Sequence, residues 1–111
     1  MQTIYLGDTL RFSITLENHD DTPFPLDAAD TIKAALVDAE TIVMIGSAIT
    51  IESTDPGNDW DASVVAVSLP MPSSYSSLPA IVDVEIEVEA ATGGKTTFRS
   101  RRAYEMVKDA I

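Results

Sequence analysis

A stretch of strict alternation limits the fold of this chain more than any other feature of its sequence. Apolar and acidic residues alternate along it, in the order Val82, Asp83, Val84, Glu85, Ile86, Glu87, Val88, Glu89. Neighbouring side chains of a β-strand point to opposite faces, whereas a helix would need apolar residues at every third or fourth position. The stretch therefore predicts a strand with one dry face and one wet, acidic face.

A returning strand is predicted directly after this stretch. Residues 92–95 read Thr-Gly-Gly-Lys, which is turn chemistry, and residues 96–107 supply the partner strand. Opposite charges that face each other across a ladder stabilise it by about 0.2–1 kcal/mol each. The predicted register has Glu87 opposite Arg99, Glu85 opposite Arg101, and Phe98 beside Val88.

The rest of the chain consists of short strand patterns separated by turns. Residues 31–37 suit a helix or a strand, and the strand is preferred because the neighbouring segments are both β. The other predicted strands cover residues 2–6, 9–16, 41–45, 48–52 and 62–69. About seven to nine short strands at this spacing predict an all-β fold, an Ig-like antiparallel β-sandwich, as one domain over residues 1–111.

The charge balance restricts the partners of the chain. Asp and Glu number 18 against 7 Lys and Arg, which gives a formal net charge of −11 at pH 7. Such a field repels phosphate backbones, so we expect no nucleic-acid partner. It suits a basic protein or a cation, or it serves only to keep the chain soluble, and the sequence leaves these alternatives open.

Compartment and membrane contacts are predicted from targeting patterns. The chain has no cysteine, which excludes disulfides and thiol nucleophiles. Residues 1–8 have neither a basic start nor a long apolar stretch, and no apolar run approaches the roughly 20 residues of a membrane-spanning helix. We expect a soluble chain that is cytoplasmic at synthesis and has no membrane partner.

The sequence offers little machinery for catalysis. Its single histidine, His19, lies in a turn pattern, where a solvated imidazole is expected. Enzymes most often use histidine as a tunable base, and no other residue is evidently placed to take that role. We therefore expect no catalytic residues, no cofactor and no enzymatic activity.

An oxygen-rich loop is the candidate metal site. It contains Asp55, Asn58, Asp59 and Asp61, and calcium prefers carboxylate and amide oxygens. The spacing does not match an EF-hand, and Asp and Asn are also common turn formers. We expect these side chains to shape the loop and not to hold a metal.

Ile4, Leu6 and Trp60 are the candidate interface residues. Residues 2–6 form a predicted strand without a charged side chain to protect its edge, and such an edge invites pairing with another chain. Pairing within its own sheet is the alternative, and the sequence leaves both open. An exposed Trp60 would be a natural interface anchor. We expect the chain to act as a homo-oligomer or as a bound subunit.

Five segments along the chain carry a resemblance to a known family. They are residues 7–12 (Gly-Asp-Thr-Leu-Arg-Phe), 22–27, 28–36, 78–86 and 93–97 (Gly-Gly-Lys-Thr-Thr). Together they resemble phage tail and baseplate domains, similar to the N-terminal β-sandwich of baseplate upper proteins and small prophage-encoded relatives. The chain departs from these domains at Ile81, where they tend to carry a glycine and a tyrosine.

The resemblance implies a non-enzymatic structural or assembly protein of a phage or prophage virion, in the tail, baseplate or neck. Its partners would be other virion structural proteins, which it would contact through sheet edges and the acidic face, and its final location would be the virion. The alternative function is a calcium- or carbohydrate-binding β-sandwich module.

Overall fold

The computed structural model describes residues 2–108, except for the side chains of residues 101–103. Seven strands and one short 3₁₀ turn (Trp60–Ala62) make up the regular structure of the described residues. The strands are β1 (Gln2–Tyr5), β2 (Thr9–Thr15), β3 (Thr31–Asp38), β4 (Met44–Ile51), β5 (Val64–Pro70), β6 (Ala80–Glu89) and β7 (Lys95–Val107). The predicted all-β fold is confirmed, and residues 31–37 belong to a strand.

The strands form two sheets that pack on each other as a sandwich. The larger sheet has five strands in the order β1-β7-β6-β3-β4, and the smaller sheet consists of β2 and β5. All pairs are antiparallel except β1 with β7, which run parallel. Strand β5 packs over β3 and β4, while β2 lies on the side of β6 and β7.

The core lies between the sheets, and β6 supplies its centre. Val82, Val84, Ile86 and Val88 are each at most 3% exposed, as the alternation predicts. Burial of one such side chain contributes about 1.5–3 kcal/mol. Strands β3 and β5 add six further core residues, which are Ile32, Ala34, Leu36, Val65, Val67 and Leu69.

The smaller sheet is too narrow to cover the larger one. In β2, Leu10, Phe12 and Ile14 face the core, but they are only half-buried. Strands lie about 4.8 Å apart, so two strands leave much of a five-stranded face uncovered. The inner face of β2 therefore borders a cleft, which is described below.

The β6–β7 ladder confirms the predicted pairing but, over residues 84–89 of β6, not the predicted register. Glu85 lies opposite Arg99, and Phe98 lies opposite Ile86, which is two residues away from the prediction. The side chain of Arg101, the predicted partner of Glu85, lies outside the described residues. A shift of two residues keeps every side chain on its predicted face, so the predicted burial of β6 is unaffected.

The turn between the two strands sets this register. The Ala90 N–H donates to the Gly94 carbonyl at 2.7 Å and closes a five-residue turn. Glu89 is thereby placed opposite Lys95. Sequence spacing alone does not distinguish this turn from a slightly longer one, which is why the predicted register is wrong by an even number of residues.

The acidic face of β6 is not wet along its whole length, which corrects the prediction. Asp83 is only 4% exposed. The Arg99 guanidinium lies 4.0 Å from Asp83 and donates a hydrogen bond to Glu85. The Lys95 ammonium lies 3.6 Å from the Glu87 carboxylate. Pairing with β7 thus brings basic side chains alongside the acidic ones and neutralises much of this face.

A single strand replaces the two that the sequence predicts over residues 41–45 and 48–52. Residues 46–48 lie opposite Ala35 alone, so β4 bulges and does not break. Gly46 in this bulge has a φ of 72°, which glycine adopts without strain. Residues 39–43 form the hairpin loop that joins β3 to β4.

One end of the sandwich is strongly acidic. The loops over residues 16–30 and 52–63 lie there, beside the β6–β7 turn. The first loop contains five acidic residues and the second contains four, which is half of the chain's 18. Neither loop contains a lysine or an arginine. We call this the acidic end.

The opposite end carries few charges. Its loops cover residues 6–8, 39–43 and 71–79, and their only acidic residues are Asp8 and Glu40. We call this the hairpin end, because the β3–β4 hairpin loop lies there. The net charge of the chain is therefore distributed unevenly between the two ends.

Candidate functional site

The predicted interface residues Ile4, in β1, and Leu6, just after it, lie against the core, which corrects their assignment. Ile4 is 8% exposed and belongs to the core cluster, and Leu6 is partly buried against it. The reason is the parallel pairing of β1 with β7, which places Ile4 opposite Met106. Strand β1 pairs within its own sheet, the alternative that the sequence left open.

Trp60 lies in the 3₁₀ turn at the acidic end. Its side chain is partly buried and packs against the core cluster. The indole Nε1 is buried and has no hydrogen-bond acceptor in the described part of the chain. Because much of the ring is already in contact with the core, little of it is free to anchor a partner.

The oxygen-rich loop uses its side chains to hold its own backbone. The Asp55 carboxylate accepts from the Glu52 N–H at 2.9 Å, and the Asp59 carboxylate accepts from the Ala62 N–H at 3.3 Å. Asp61 is exposed. Within residues 2–108, as far as they are described, no group of three or more Asp, Glu or His side chains is placed to hold a metal ion.

The fourth residue of that loop protects an edge of the smaller sheet. The Asn58 Oδ1 accepts from the Ala66 N–H at 2.7 Å, and its amide nitrogen donates to the Glu52 carbonyl at 2.6 Å. Asp59 and Val64 exchange two backbone hydrogen bonds of 2.8 and 3.0 Å. The loop therefore covers the outer edge of β5, as native proteins often do with exposed strands.

The outer edge of β2 is open. In an antiparallel ladder, pairs that bond to each other alternate with pairs whose N–H and C=O groups point outward. The N–H groups of Val64 and Ala66 point outward, to the loop just described, so their β2 partners Thr15 and Ser13 also point outward. Among the described residues, no hydrogen bond reaches these backbone groups of β2.

A cleft of about 560 Å³ runs beside this open edge, between β2 and β7. Strand β1 covers β7 only at residues 104–107, so the earlier part of β7 borders the cleft without a neighbour from β1. The apolar side chains that line the cleft are Phe12, Ile14, Leu16, Val84, Ile86, Phe98 and Tyr104. An apolar floor beside unpaired backbone is the combination that strand addition uses.

Three consecutive apolar residues protrude at the hairpin end. Ile42, Val43 and Met44 are 57%, 55% and 51% exposed, and we call them the apolar tip. Tyr5, another exposed large apolar side chain, lies at the same end but on the opposite edge of the larger sheet. The sequence does not reveal the tip, because an apolar run over residues 41–45 also fits a buried strand.

Asp38 fastens the apolar tip to the rest of the domain. Its carboxylate accepts from the N–H groups of Glu40 at 2.9 Å and Thr41 at 3.2 Å. It also accepts from the Tyr75 hydroxyl at 2.6 Å. The Ile42 N–H donates to the Asp38 carbonyl at 2.9 Å. The hairpin loop is therefore held at several points, although its apolar side chains face solvent.

The same contacts shift the pKa values of both side chains. The hydrogen bond from Tyr75 lowers the pKa of Asp38 below its ordinary value of 3.8, and the N–H groups of Glu40 and Thr41 add to this against the effect of burial. The bond to Asp38 raises the pKa of Tyr75 above its ordinary value of 10.0, and burial adds to it. At neutral pH the pair thus consists of a carboxylate and a neutral phenol.

His19 is exposed in the turn where the sequence predicts it. The described residues include no helix with the length and apolar character needed to cross a membrane.

Comparisons of this chain with protein-family models, curated proteins and solved structures find no match.

Proposed function

We propose that this chain is a non-enzymatic assembly protein of a phage or prophage virion, which docks to a neighbouring virion protein by accepting a β-strand at the open edge of β2. The open edge beside the apolar cleft is the observation that carries this proposal. An incoming strand would pair with the outward backbone groups of Arg11, Ser13 and Thr15, and every second side chain would enter the cleft.

The order of the strands supports the Ig-like part of the prediction and the choice of this edge. Strands β7, β6, β3 and β4 follow the G-F-C-C′ order of immunoglobulin sandwiches, and β2 with β5 follows B-E. In those sandwiches a strand A flanks strand B. No described strand of this chain lies in that place beside β2, so an added strand would occupy the place of strand A in the smaller sheet.

The resemblance to phage tail and baseplate domains supports the virion as the setting. The acidic face of β6 has no part in the proposal, because β7 neutralises much of it. Self-association as a homo-oligomer stays a prediction, which light scattering coupled to size-exclusion chromatography would check.

Two proline variants test the docking edge in matched form. Ser13 lies opposite Ala66 in the β2–β5 ladder, and Ser68 lies opposite Arg11. Both serines are exposed, and both belong to outward-pointing pairs. Proline at such a position removes an edge donor while it leaves the ladder bonds intact. Ser13→Pro changes the open edge of β2, and Ser68→Pro makes the same change on β5.

The readout is the amount of the chain in purified particles, measured by mass spectrometry relative to a major tail protein. We expect the wild-type chain and Ser68→Pro at equal levels, and Ser13→Pro at least tenfold lower. If wild-type chain is missing from the particles, the virion role is wrong. If Ser13→Pro enters them at the wild-type level while its melting midpoint is retained, the β2 edge is not the docking site.

A calcium titration addresses the alternative of a calcium-binding module. A ligand that binds only the folded state raises the melting midpoint. We expect millimolar calcium to leave the midpoint unchanged, because Asp55, Asn58 and Asp59 are already engaged by the loop backbone. A rise that Asp55→Asn abolishes would favour the alternative.

A further inference from the structure

We infer that the apolar tip is a second docking surface, which inserts into an apolar recess flanked by lysine or arginine on a neighbouring protein. The inference goes beyond the function proposed above, since the tip lies at the hairpin end and lines no part of the cleft beside β2. Two separate surfaces would let one small domain join two neighbours.

Exposure and position are the first observations behind this inference. Ile42, Val43 and Met44 are consecutive, and each residue is more than half exposed. Scattered single apolar residues are normal on protein surfaces, whereas contiguous exposed groups mark interaction sites. A protruding apolar loop has a convex surface, so a partner of complementary shape presents a concave apolar surface.

The backbone of Ile42 is the second observation. Its φ of 56° lies in the left-handed region, which disfavours residues other than glycine and is rare for β-branched side chains. Asparagine or glycine would fit this position better. Neither burial nor backbone preference accounts for an isoleucine here, so its role is to be sought in contact with another molecule.

The third observation is that the tip is held in place before any partner arrives. The Asp38 carboxylate binds two N–H groups of the loop and the Tyr75 hydroxyl. A loop that is already ordered loses less conformational entropy on binding. These hydrogen bonds preorganise the tip for docking although its side chains are exposed.

Charge distinguishes a different protein from a second copy of this chain. A second copy would bring another net charge of −11 to this contact, which disfavours self-association through the tip, whereas self-association through another surface stays a prediction. Beside the tip, Glu40 is exposed, and a lysine or arginine at the rim of the recess would complement it. Lys108, past the end of β7, is separated from the β3–β4 hairpin by β6 in the sheet order.

Site-specific photocrosslinking in assembled particles tests the inference. Val43→p-benzoylphenylalanine places the probe on the tip, and Thr92→p-benzoylphenylalanine places it in the exposed β6–β7 turn at the other end. We expect one discrete adduct with another particle protein from position 43 and none of the same mass from position 92. Mass spectrometry of the adduct should locate the crosslink beside a lysine or arginine.

Ile42→Asn, combined with the probe at position 43, separates docking from folding. Asparagine removes the apolar side chain and suits the left-handed backbone, so we expect the melting midpoint to rise by about 4 °C. The adduct should fall at least tenfold. An adduct yield that survives Ile42→Asn, or a crosslink to a second copy of this chain, would overturn the inference.

Failure of this inference differs from failure of the proposed function. If particles contain the chain and position 43 gives no adduct, the tip is not a docking surface although the virion role stands. If the chain is missing from the particles and position 43 gives no discrete adduct in the intact host cell either, both ideas are wrong. A discrete, Ile42-dependent adduct in the cell alone would support the tip and contradict the virion role.

Discussion

The Tyr75 hydroxyl donates a hydrogen bond of 2.6 Å to the Asp38 carboxylate, across 37 positions of the sequence. Asp38 ends β3, and Tyr75 lies in the loop between β5 and β6. The bond joins two loops of the hairpin end, and the same carboxylate orders the backbone of the β3–β4 hairpin. One buried charge thereby supports the apolar tip.

Tyr75→Phe should destabilise the domain without changing its fold. The variant loses a hydrogen bond to a buried carboxylate, and a bond to a charged group contributes about 1.5–3 kcal/mol. We expect a loss of about 2 kcal/mol in the free energy of unfolding, measured by urea titration at pH 7. Tyr104→Phe, a partly buried tyrosine in β7, is the control. A loss below about 0.5 kcal/mol would mean that the bond contributes little.

The contribution of this pair should depend on pH at both extremes. Because the pKa of Asp38 is lowered from 3.8, its stabilising effect is complete above that value and is lost as the pH falls further. Because the pKa of Tyr75 is raised from 10.0, its effect is complete below that value and is lost as the pH rises through its folded pKa.

Unfolding titrations of wild type and Tyr75→Phe across the pH range check this. We expect the difference between them to be constant from about pH 5 to 9 and to shrink on either side. A difference that shrinks already between pH 5 and 7 would show that another group is responsible. The loss of stability that ionisation of Tyr75 causes at alkaline pH should be absent from the Tyr75→Phe variant.

Ile4→Lys should unfold the domain or destabilise it strongly. Ile4 is 8% exposed, between β7 and the core, and truncation of a buried isoleucine alone costs about 2–5 kcal/mol. An unpaired buried charge adds to this. Thermal melting measures the effect, and Thr3→Lys, at an exposed position of the same strand, is the control. Equal melting midpoints for both variants would show that Ile4 lies at the surface and not in the core.

Asn58→Ala should uncover the edge of β5. The Ala66 N–H would lose its acceptor, and a donor left without a partner costs about 1–3 kcal/mol. We expect a lower melting midpoint together with concentration-dependent association, since an open edge pairs with other chains. Asn58→Asp keeps the acceptor and should restore much of the stability. A monomeric, fully stable Asn58→Ala protein would show that the loop covers this edge by other contacts.

Short-range patterns suffice for the identity and faces of most strands. In β6, strict alternation predicts which side chains are buried, because successive side chains of a strand must point to opposite faces. Residues 31–37 are ambiguous as a pattern, but their neighbours identify them as a strand. The turn chemistry of Gly93 and Gly94 likewise predicts the β6–β7 hairpin.

Long-range pairing sets what the patterns leave open. The position of β1 beside β7 buries Ile4, although its own segment looks like an unprotected edge. Basic residues of β7 neutralise the acidic face of β6 only because the ladder brings them together.

The candidate sites also depend on the tertiary arrangement. The edge of β2 is open because a sheet of two strands packs on a sheet of five. The sequence of β2 does not determine how many strands the other sheet has. Residues 42–44 are exposed because Ile42 and Val43 lie in the hairpin loop and Met44 begins the edge strand β4. Apolar composition is the same for a buried strand and for a protruding tip, so only the spatial position of the loop separates the two.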